Sequence, residues 1–277
     1  MAVNDPSDPI TPLLGTWINH RQATWLWLGL RIHEKFDLDD NSCGGATMRD
    51  EVAWALEGAP DITSSFRAKK DRYLLPEEQL AWITASQRQL QWLTPRIDTL
   101  TDRILPRCLV HLQGRDRLVA ALDIWKIDLE KKQRAVERLH DQWRRHKAMD
   151  SQLEWFSDQK EGTKRCLCAW EWLQKNYLKP FSRQIPISNY QELLMFFDHE
   201  DMGSNERVAI IQRIRKLWSK RQFNERSADK KQVNVMLPKA VISQLDALAE
   251  KHGLKRAQVI ESLVRMEADA GVYLAGS

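Results

Sequence analysis

The sequence predicts a mainly α-helical protein that ends in one short strand followed by two helices. Apolar residues recur at three- and four-residue steps through most of the chain, for example from Thr11 to about Phe36, and this is the helical period. Residues 232–237 instead alternate apolar and polar side chains, as a strand does. Two more helical patterns follow Pro238, separated by Gly253, a residue type that suits a left-handed helix end. We find no second strand of comparable quality, so this strand requires a partner from another chain.

Composition narrows the class of protein. The chain has 277 residues, 43% of them hydrophobic and 29% charged, which is enough for a sizeable core and ordinary for a globular protein. Four Cys make no disulfide framework at this length, and Cys166 and Cys168 lack the second pair that a zinc site needs. The acidic N-terminus is unlike a signal peptide, and no apolar run approaches the roughly 20 residues of a membrane span. We therefore expect a cytoplasmic protein with reduced thiols, no metal and no membrane contact.

The first 113 residues are expected to form an N-terminal helical domain. The twelve Trp of the chain fall on helical apolar steps, which favours core packing over base stacking. Loops are expected at 39–47 and 58–61, where turn-forming residues cluster. Pro76 is expected at the first position of a helix. The predicted helices of this domain cover about 11–36, 48–57, 76–95 and 97–112.

Residues 114–160 are predicted to form a connector that contains one long helix, from about 114 to 156. Its apolar residues follow a coiled-coil-like step with gaps, and its other faces are densely charged. Such a helix is a candidate for contact with another protein or for an intramolecular bundle.

A second helical domain is predicted for residues 161–228, and its last helix is strongly basic. That helix is expected to begin at Asn205, an N-cap residue type, and to end near Asn224. From 207 to 231 the chain carries nine Lys or Arg and only two acids. Such a run is usually a solvated face, and whether it indicates phosphate contact depends on the segment that follows it. Two shorter helices are predicted before it, at 165–178 and 189–198.

Residues 229–277 are predicted to form a ribbon-helix-helix domain, which is an obligate dimer. A strand, a helix, a glycine turn and a second helix, about 40 residues in all, are too few to bury a core of their own. Two copies remove this problem, because their strands pair antiparallel and their four helices pack beneath. The predicted dimer core on one face of the strand consists of Val233, Val235 and Leu237.

The other face of the ribbon is predicted to contact DNA bases. It presents Gln232, Asn234 and Met236, and a two-stranded ribbon fits the major groove. Gln and Asn donate and accept hydrogen bonds together, which suits the adenine edge. The alternative is a dimerisation module with a solvated polar strand face, but the cations around the ribbon favour DNA. The predicted phosphate contacts are Arg215, Lys220, Arg221, Lys230, Lys231, Lys255 and Arg256.

The ribbon sequence Q-V-N-V-M-L-P resembles that of the Arc-type phage repressors. Gln232 and Asn234 match positions that read bases in that ribbon, whereas Met236 stands where the ribbon has Arg. The likeness covers about 40 residues and implies the dimeric ribbon-helix-helix fold.

A broader resemblance, from residue 166 to 277, is to the macrodomain Ter protein (MatP) family. It is carried by W-E-W-L-Q-K at 170–175, K-R-Q-F-N at 220–224 and K-K-Q-V-N-V-M-L at 230–237. The family consists of bacterial DNA-binding dimers that bind a palindromic site and organise the replication-terminus region of the chromosome. The residues that the resemblance implies as DNA contacts are Lys220, Arg221, Lys230, Lys231, Gln232 and Asn234. The N-terminal half resembles neither family.

No catalytic constellation stands out. The seven His are scattered, and there is no glycine-rich phosphate loop, so we expect neither an enzyme nor a cofactor. The leading hypothesis is a nucleoid-associated, sequence-specific dimer on double-stranded DNA that organises chromosome or other replicon DNA. Its N-terminal half would bridge sites or recruit a further protein partner. The alternative is a ribbon-helix-helix transcriptional repressor of plasmid or phage origin, with an N-terminal half that senses a signal or oligomerises.

Overall fold

The computed structural model describes residues 8–177, 186–200, 202–226, 233–272 and 274 of the chain. Regular structure within these residues is helical, and no strand is assigned among them. The prediction of a mainly α protein is therefore confirmed.

Twelve α-helices lie in the described part of the chain. The first nine and most of the tenth belong to one compact unit, residues 1–219, and the rest belong to a second unit, residues 220–277. The helices are α1 (Thr11–Leu14), α2 (His20–Leu28), α3 (Met48–Glu57), α4 (Pro60–Tyr73), α5 (Gln87–Leu100), α6 (Gly114–Ile124), α7 (Leu129–Ala148), α8 (Gly162–Asn176), α9 (Tyr190–His199), α10 (Ser204–Arg226), α11 (Lys239–His252) and α12 (Arg256–Ala270).

The larger core of the first unit is formed by α2 to α7 and the loops between them. Trp27 is fully buried, and its indole N–H donates a hydrogen bond to Ser42 Oγ at 2.9 Å. Trp92 and Trp143 pack with ring centroids 5.3 Å apart. The expectation that Trp residues fill the core is confirmed for these three, whereas Trp54 is 63% exposed.

The predicted continuous helix from 114 to 156 is wrong. Helix α6 ends at Ile124, and the Asp128 carboxylate begins a new helix by accepting a hydrogen bond from the Glu130 amide at 3.1 Å. After α7 the chain continues as a 3₁₀ segment, Met149–Ser157. The apolar period runs through the break because α6 and α7 bury residues in the same core.

The predicted helix from 11 to 36 is interrupted at its start. Gly15 ends α1 with a left-handed φ of 63°, which costs glycine little. Asn19 then caps α2, because its side chain accepts a hydrogen bond from the Gln22 amide at 2.9 Å. The break predicted at 58–61 is present but shorter, since Gly58 and Ala59 separate α3 from α4 and Pro60 already occupies the first position of α4.

The helices predicted at 76–95 and 97–112 are also corrected. Pro76 precedes only a short 3₁₀ segment, and α5 begins at Gln87 and continues through Pro95. Asp102 and Arg103 follow α5 with φ of 54° and 51°, and this left-handed pair ends the helix. The prediction near residues 48–57, by contrast, matches α3, and those near 165–178 and 189–198 match α8 and α9 within two or three residues.

A buried polar network joins the elements of the larger core. The Asp123 carboxylate accepts two hydrogen bonds from Arg21, both at 2.7 Å. The fully buried Lys132 ammonium donates to the backbone carbonyls of Tyr73 at 2.6 Å and of Asp123 at 3.1 Å. Burial lowers the pKa of Lys132 to about 8 and raises that of Asp123. The network thus links α2, α6, α7 and the end of α4.

A second core lies within the same unit, around α8, α9 and the first turns of α10. Arg88 of α5 donates to Asp150 at 2.7 Å and to Asp198 of α9 at 2.6 Å. His146 Nε2 lies 2.8 Å from the same Asp198 carboxylate. Burial alone would raise the pKa of Asp198, but the bonds from His146 and Arg88 outweigh it and lower that pKa. These bonds fix α9 against α5, just ahead of the basic helix.

Candidate nucleic-acid interface

The predicted ribbon is described from Val233 onward. Residues 233–238 lie outside any helix, and the predicted strand stays a prediction. In the single chain Val235 is 67% exposed and Met236 is 98% exposed. Asn234 is exposed as well. Three of the predicted DNA contacts, Lys230, Lys231 and Gln232, lie outside the described residues.

The two helices behind this segment follow the predicted pattern. Helix α11 begins directly after Pro238 and ends at Gly253, whose φ of 62° is left-handed as expected from the sequence. The Leu254 amide donates to the Ala249 carbonyl at 2.9 Å and closes this turn. Helix α12 then begins after Lys255. The predictions of the helix–glycine–helix arrangement and of its boundaries are therefore confirmed.

The helices of this second unit expose most of their apolar side chains. Only Leu245 and Val259 are buried among its described residues. Segment 233–238 and the two helices thus carry apolar side chains that one chain leaves open to water. The exposed apolar residues of this unit include Val233, Val235, Leu237, Val241, Ile242, Leu248, Leu254, Ile260, Leu263 and Val264.

The two cations at the start of α12 have different surroundings. The Arg256 guanidinium donates to both carboxylate oxygens of Asp246 in α11, one of them at 2.7 Å. The bond from Arg256 lowers the pKa of Asp246. Arg256 therefore links α12 to α11, and a phosphate would have to compete with Asp246 for it. Lys255 is exposed, and its backbone amide donates to the side chain of Gln258 at 2.9 Å.

The basic helix α10 has a buried side and a cationic side. Ile210 and Ile214 are buried, whereas Arg213, Lys216 and Lys220 are exposed at three- and four-residue spacing. On a helix this spacing places the three cations in one stripe, turned away from the buried isoleucines. We call Arg213, Lys216 and Lys220 the α10 stripe. Arg213 and Lys216 are not among the predicted phosphate contacts, although their spacing on the helix is the signal that identifies them.

Other arginines of α10 serve the fold to different extents. Arg207 is 9% exposed and donates to the Phe197 carbonyl at 3.2 Å, so it belongs to the core. Arg215 is exposed, but its guanidinium lies 5.2 Å from the centroid of the Trp155 ring, a cation–π distance. Arg221 is half-buried and has contacts of its own. The stripe is therefore the part of α10 best placed to meet a polyanion.

Neither a metal cluster nor a membrane-spanning helix is apparent in the described part of the chain. No three His, Cys, Asp or Glu side chains converge there in a way suited to a metal ion. No helix among those residues combines the length and apolar character needed to cross a membrane. Comparison with protein-family models, curated proteins and solved structures returns no match, so the resemblance to the macrodomain Ter protein family stays a prediction.

Proposed function

We propose that this protein is a homodimer that binds specific sequences of double-stranded DNA and organises the replicon that carries them, as the macrodomain Ter protein family does. The observation that supports the proposal is the second unit, in which segment 233–238 and two helices leave apolar side chains uncovered. A second copy is the occupant that covers this face, because it presents the same apolar side chains in return.

The dimer pairs two segments antiparallel, with Val233, Val235 and Leu237 turned toward the helices. Pairing of the segments gives alternate residues of each segment hydrogen-bond partners for their backbone N–H and C=O, and the apolar faces of four helices form one core. This arrangement turns the alternate positions outward on both strands of the ribbon. A ribbon of two strands fits the major groove of B-form DNA.

The outward face supplies the base contacts, and the cations supply affinity. Gln232 and Asn234 form paired hydrogen bonds with base edges, while Met236 offers apolar contact such as to a thymine methyl. Lys255 and the α10 stripe neutralise phosphates, which gives binding without sequence preference and fixes the protein on the duplex. Lys230 and Lys231 flank the ribbon and add to the same contact. Because the dimer is two-fold symmetric, the bound site is palindromic.

The test is selection of duplexes from a random library by the full-length protein at one fixed salt concentration. We expect one enriched palindromic sequence, bound by two copies of the chain. Absence of enrichment, or binding by a single copy, would overturn the proposal. Mapping of bound sites in cells then separates the two biological roles. Many dispersed sites indicate organisation of the replicon, whereas one operator beside a promoter indicates a repressor.

A further inference from the structure

A cavity of about 230 Å³ lies within the first unit, remote in sequence from the basic helix and the ribbon. It opens between α2, α4 and the end of α6. Trp25, Leu30, Ile62 and Ile124 give it a largely apolar wall. Nothing in the proposed DNA contact uses it.

The backbone is irregular where it borders this cavity. Helix α2 passes at its end into a π-helix, Gly29–His33, in which the Glu34 amide donates to the Gly29 carbonyl at 3.2 Å. Single π turns inside α-helices are rare and are found frequently at functional sites. Three residues of this segment, Gly29, Leu30 and His33, line the cavity.

Gly29 keeps part of the cavity wall open. Its φ of −60° and ψ of −48° are ordinary helical values, so the backbone does not require glycine. A Cβ atom built at Gly29 would meet no heavy atom within 4 Å. Glycine is a poor helix former, and here it relieves no clash. Its missing side chain leaves room at the cavity wall.

Cations outnumber unpaired acids around the cavity. Of its two carboxylates, Asp123 is held by Arg21, and Glu34 lies 3.7 Å from Lys69 Nζ. Two further cations of the lining, Arg72 and Lys126, have no described carboxylate within 4.0 Å. Both are exposed, so they lie at the solvent side of the cavity.

His33 adds a neutral polar group to the lining of the cavity. Its Nε2 lies 3.4 Å from the Ile124 carbonyl. Burial, and then the charge of Lys126, lower the pKa of His33. Uncharged at neutral pH, the imidazole donates to that carbonyl and keeps one nitrogen as an acceptor. The charge that a ligand meets is therefore that of Arg72 and Lys126.

We propose that this cavity binds a small hydrophobic monocarboxylate. Its apolar body packs against Trp25, Leu30 and Ile124, and its carboxylate meets Arg72 and Lys126. A cavity of about 150 Å³ holds the six carbon atoms of benzene, so by proportion this one holds about nine non-hydrogen atoms. Heptanoate has this size. The proposal is independent of the proposed DNA binding.

The experiment is calorimetric titration of the full-length protein with heptanoate and with 1-heptanol, its neutral analogue. We expect one heptanoate per chain. Gly29→Leu fills the cavity and lowers heptanoate affinity by about tenfold or more. Gly58→Leu is the matched control, because a Cβ at that helix end meets its nearest atom at an ordinary 3.7 Å outside the cavity. The control retains wild-type affinity.

A second pair of variants tests the carboxylate contact without altering the core. The double change Arg72→Gln and Lys126→Gln is expected to weaken heptanoate by roughly tenfold and leave 1-heptanol unchanged. The control is the double change Lys131→Gln and Arg134→Gln, which removes the same charge from α7. It should leave the affinity for heptanoate and the affinity for 1-heptanol unchanged. Failure of wild type to bind heptanoate overturns the proposal, as does equal weakening of acid and alcohol. If Gly29→Leu fails to fold, the double variant Arg72→Gln and Lys126→Gln tests the proposal by itself.

Discussion

Among single residues, Lys132 should have a measurable effect on how folding stability depends on pH. Its ammonium group is fully buried and bonded to two backbone carbonyls. Burial is the main reason why the pKa of Lys132 falls from 10.5 to about 8. Between these two values the unfolded chain binds a proton that the folded chain does not, so stability from this group rises with pH.

We therefore expect the stability of wild type relative to Lys132→Met to increase from pH 8 to pH 10.5. The full gain is at most about 3 kcal/mol, since one pKa unit corresponds to about 1.4 kcal/mol. Urea unfolding of both proteins at several pH values gives the difference, in which the contributions of other titrating groups cancel. Lys131→Met, at the exposed neighbouring position, is the control and should follow wild type in parallel. If the stability of Lys132→Met changed with pH in parallel with that of wild type, the lowered pKa of Lys132 would be contradicted.

A second residue-scale prediction concerns base readout. Asn234→Ala and Gln232→Ala should each cost roughly 1–3 kcal/mol per half-site on the selected DNA sequence, because a paired hydrogen bond to a base edge is lost. Affinity for scrambled DNA should barely change, since the cations supply that part. Met236→Ala should cost less. The measurement is fluorescence anisotropy on both duplexes at one salt concentration, and equal losses on both would exclude base reading by the ribbon.

Sequence reasoning at this scale succeeded where one residue type fits one conformation. Gly253 was predicted to end α11, and its φ of 62° agrees, because a left-handed helix end favours glycine strongly. Arginine carries no such restriction. Arg207 and Arg213 look equivalent in the basic run, yet Arg207 is buried against Phe197 and Arg213 is exposed. Only the packing of α10 distinguishes them, and the sequence alone does not specify it.

At the scale of elements, α10 packs against the core with one side and exposes cations on the other. Its isoleucines are buried in the second core, and the α10 stripe is exposed on the other side. The sequence predicted the helix and its charge but not the direction in which each cation points.

Removal of the stripe should therefore weaken DNA binding generally. We expect Arg213→Gln, Lys216→Gln and Lys220→Gln together to reduce affinity for every sequence and to flatten its dependence on salt. Each lost phosphate contact changes the logarithmic slope by about 0.9, so six contacts in a dimer change it by about 5. Titrations with duplex DNA at four salt concentrations measure the slope.

The chain offers a matched control for this change. Lys131, Arg134 and Arg138 of α7 are also exposed and have the same three- and four-residue spacing. Their replacement by Gln removes the same charge from another helix and should leave the slope near that of wild type. An equal effect of both triple variants would show that overall charge, and not the stripe, governs binding.

The error at 114–156 has a physical cause that is general to helical proteins. A coiled-coil-like apolar period predicted one long helix, but α6 and α7 are two helices that face one core. Periodicity reports which side is buried and is insensitive to a short break. Asp128 was the available signal, since an Asp before a charged run is typical of an N-cap.

For the whole molecule, the sequence predicted the helical class and the final helix–glycine–helix, which depend on local patterns. The second core and the Arg88 network were beyond it, because Arg88, Asp150 and Asp198 meet only after distant helices pack. The oligomeric state is a further property of the whole molecule, and the small core of the second unit bears on it. A unit that buries only Leu245 and Val259 among its described residues lacks the core that an independent fold of its size requires.

The last prediction is that the full-length chain is a dimer held by the apolar face of its second unit. Val235→Asp should dissociate it, because the interface would bury an unpaired charge. Met236→Asp is the matched control, since the predicted strand turns this neighbour to the other face and its side chain is 98% exposed in the single chain. It should leave the dimer intact and weaken DNA binding by charge repulsion. Sedimentation gives the mass of each protein, and wild-type unfolding should shift to higher temperature with concentration. A monomeric wild type, or dissociation by both substitutions alike, would exclude this interface.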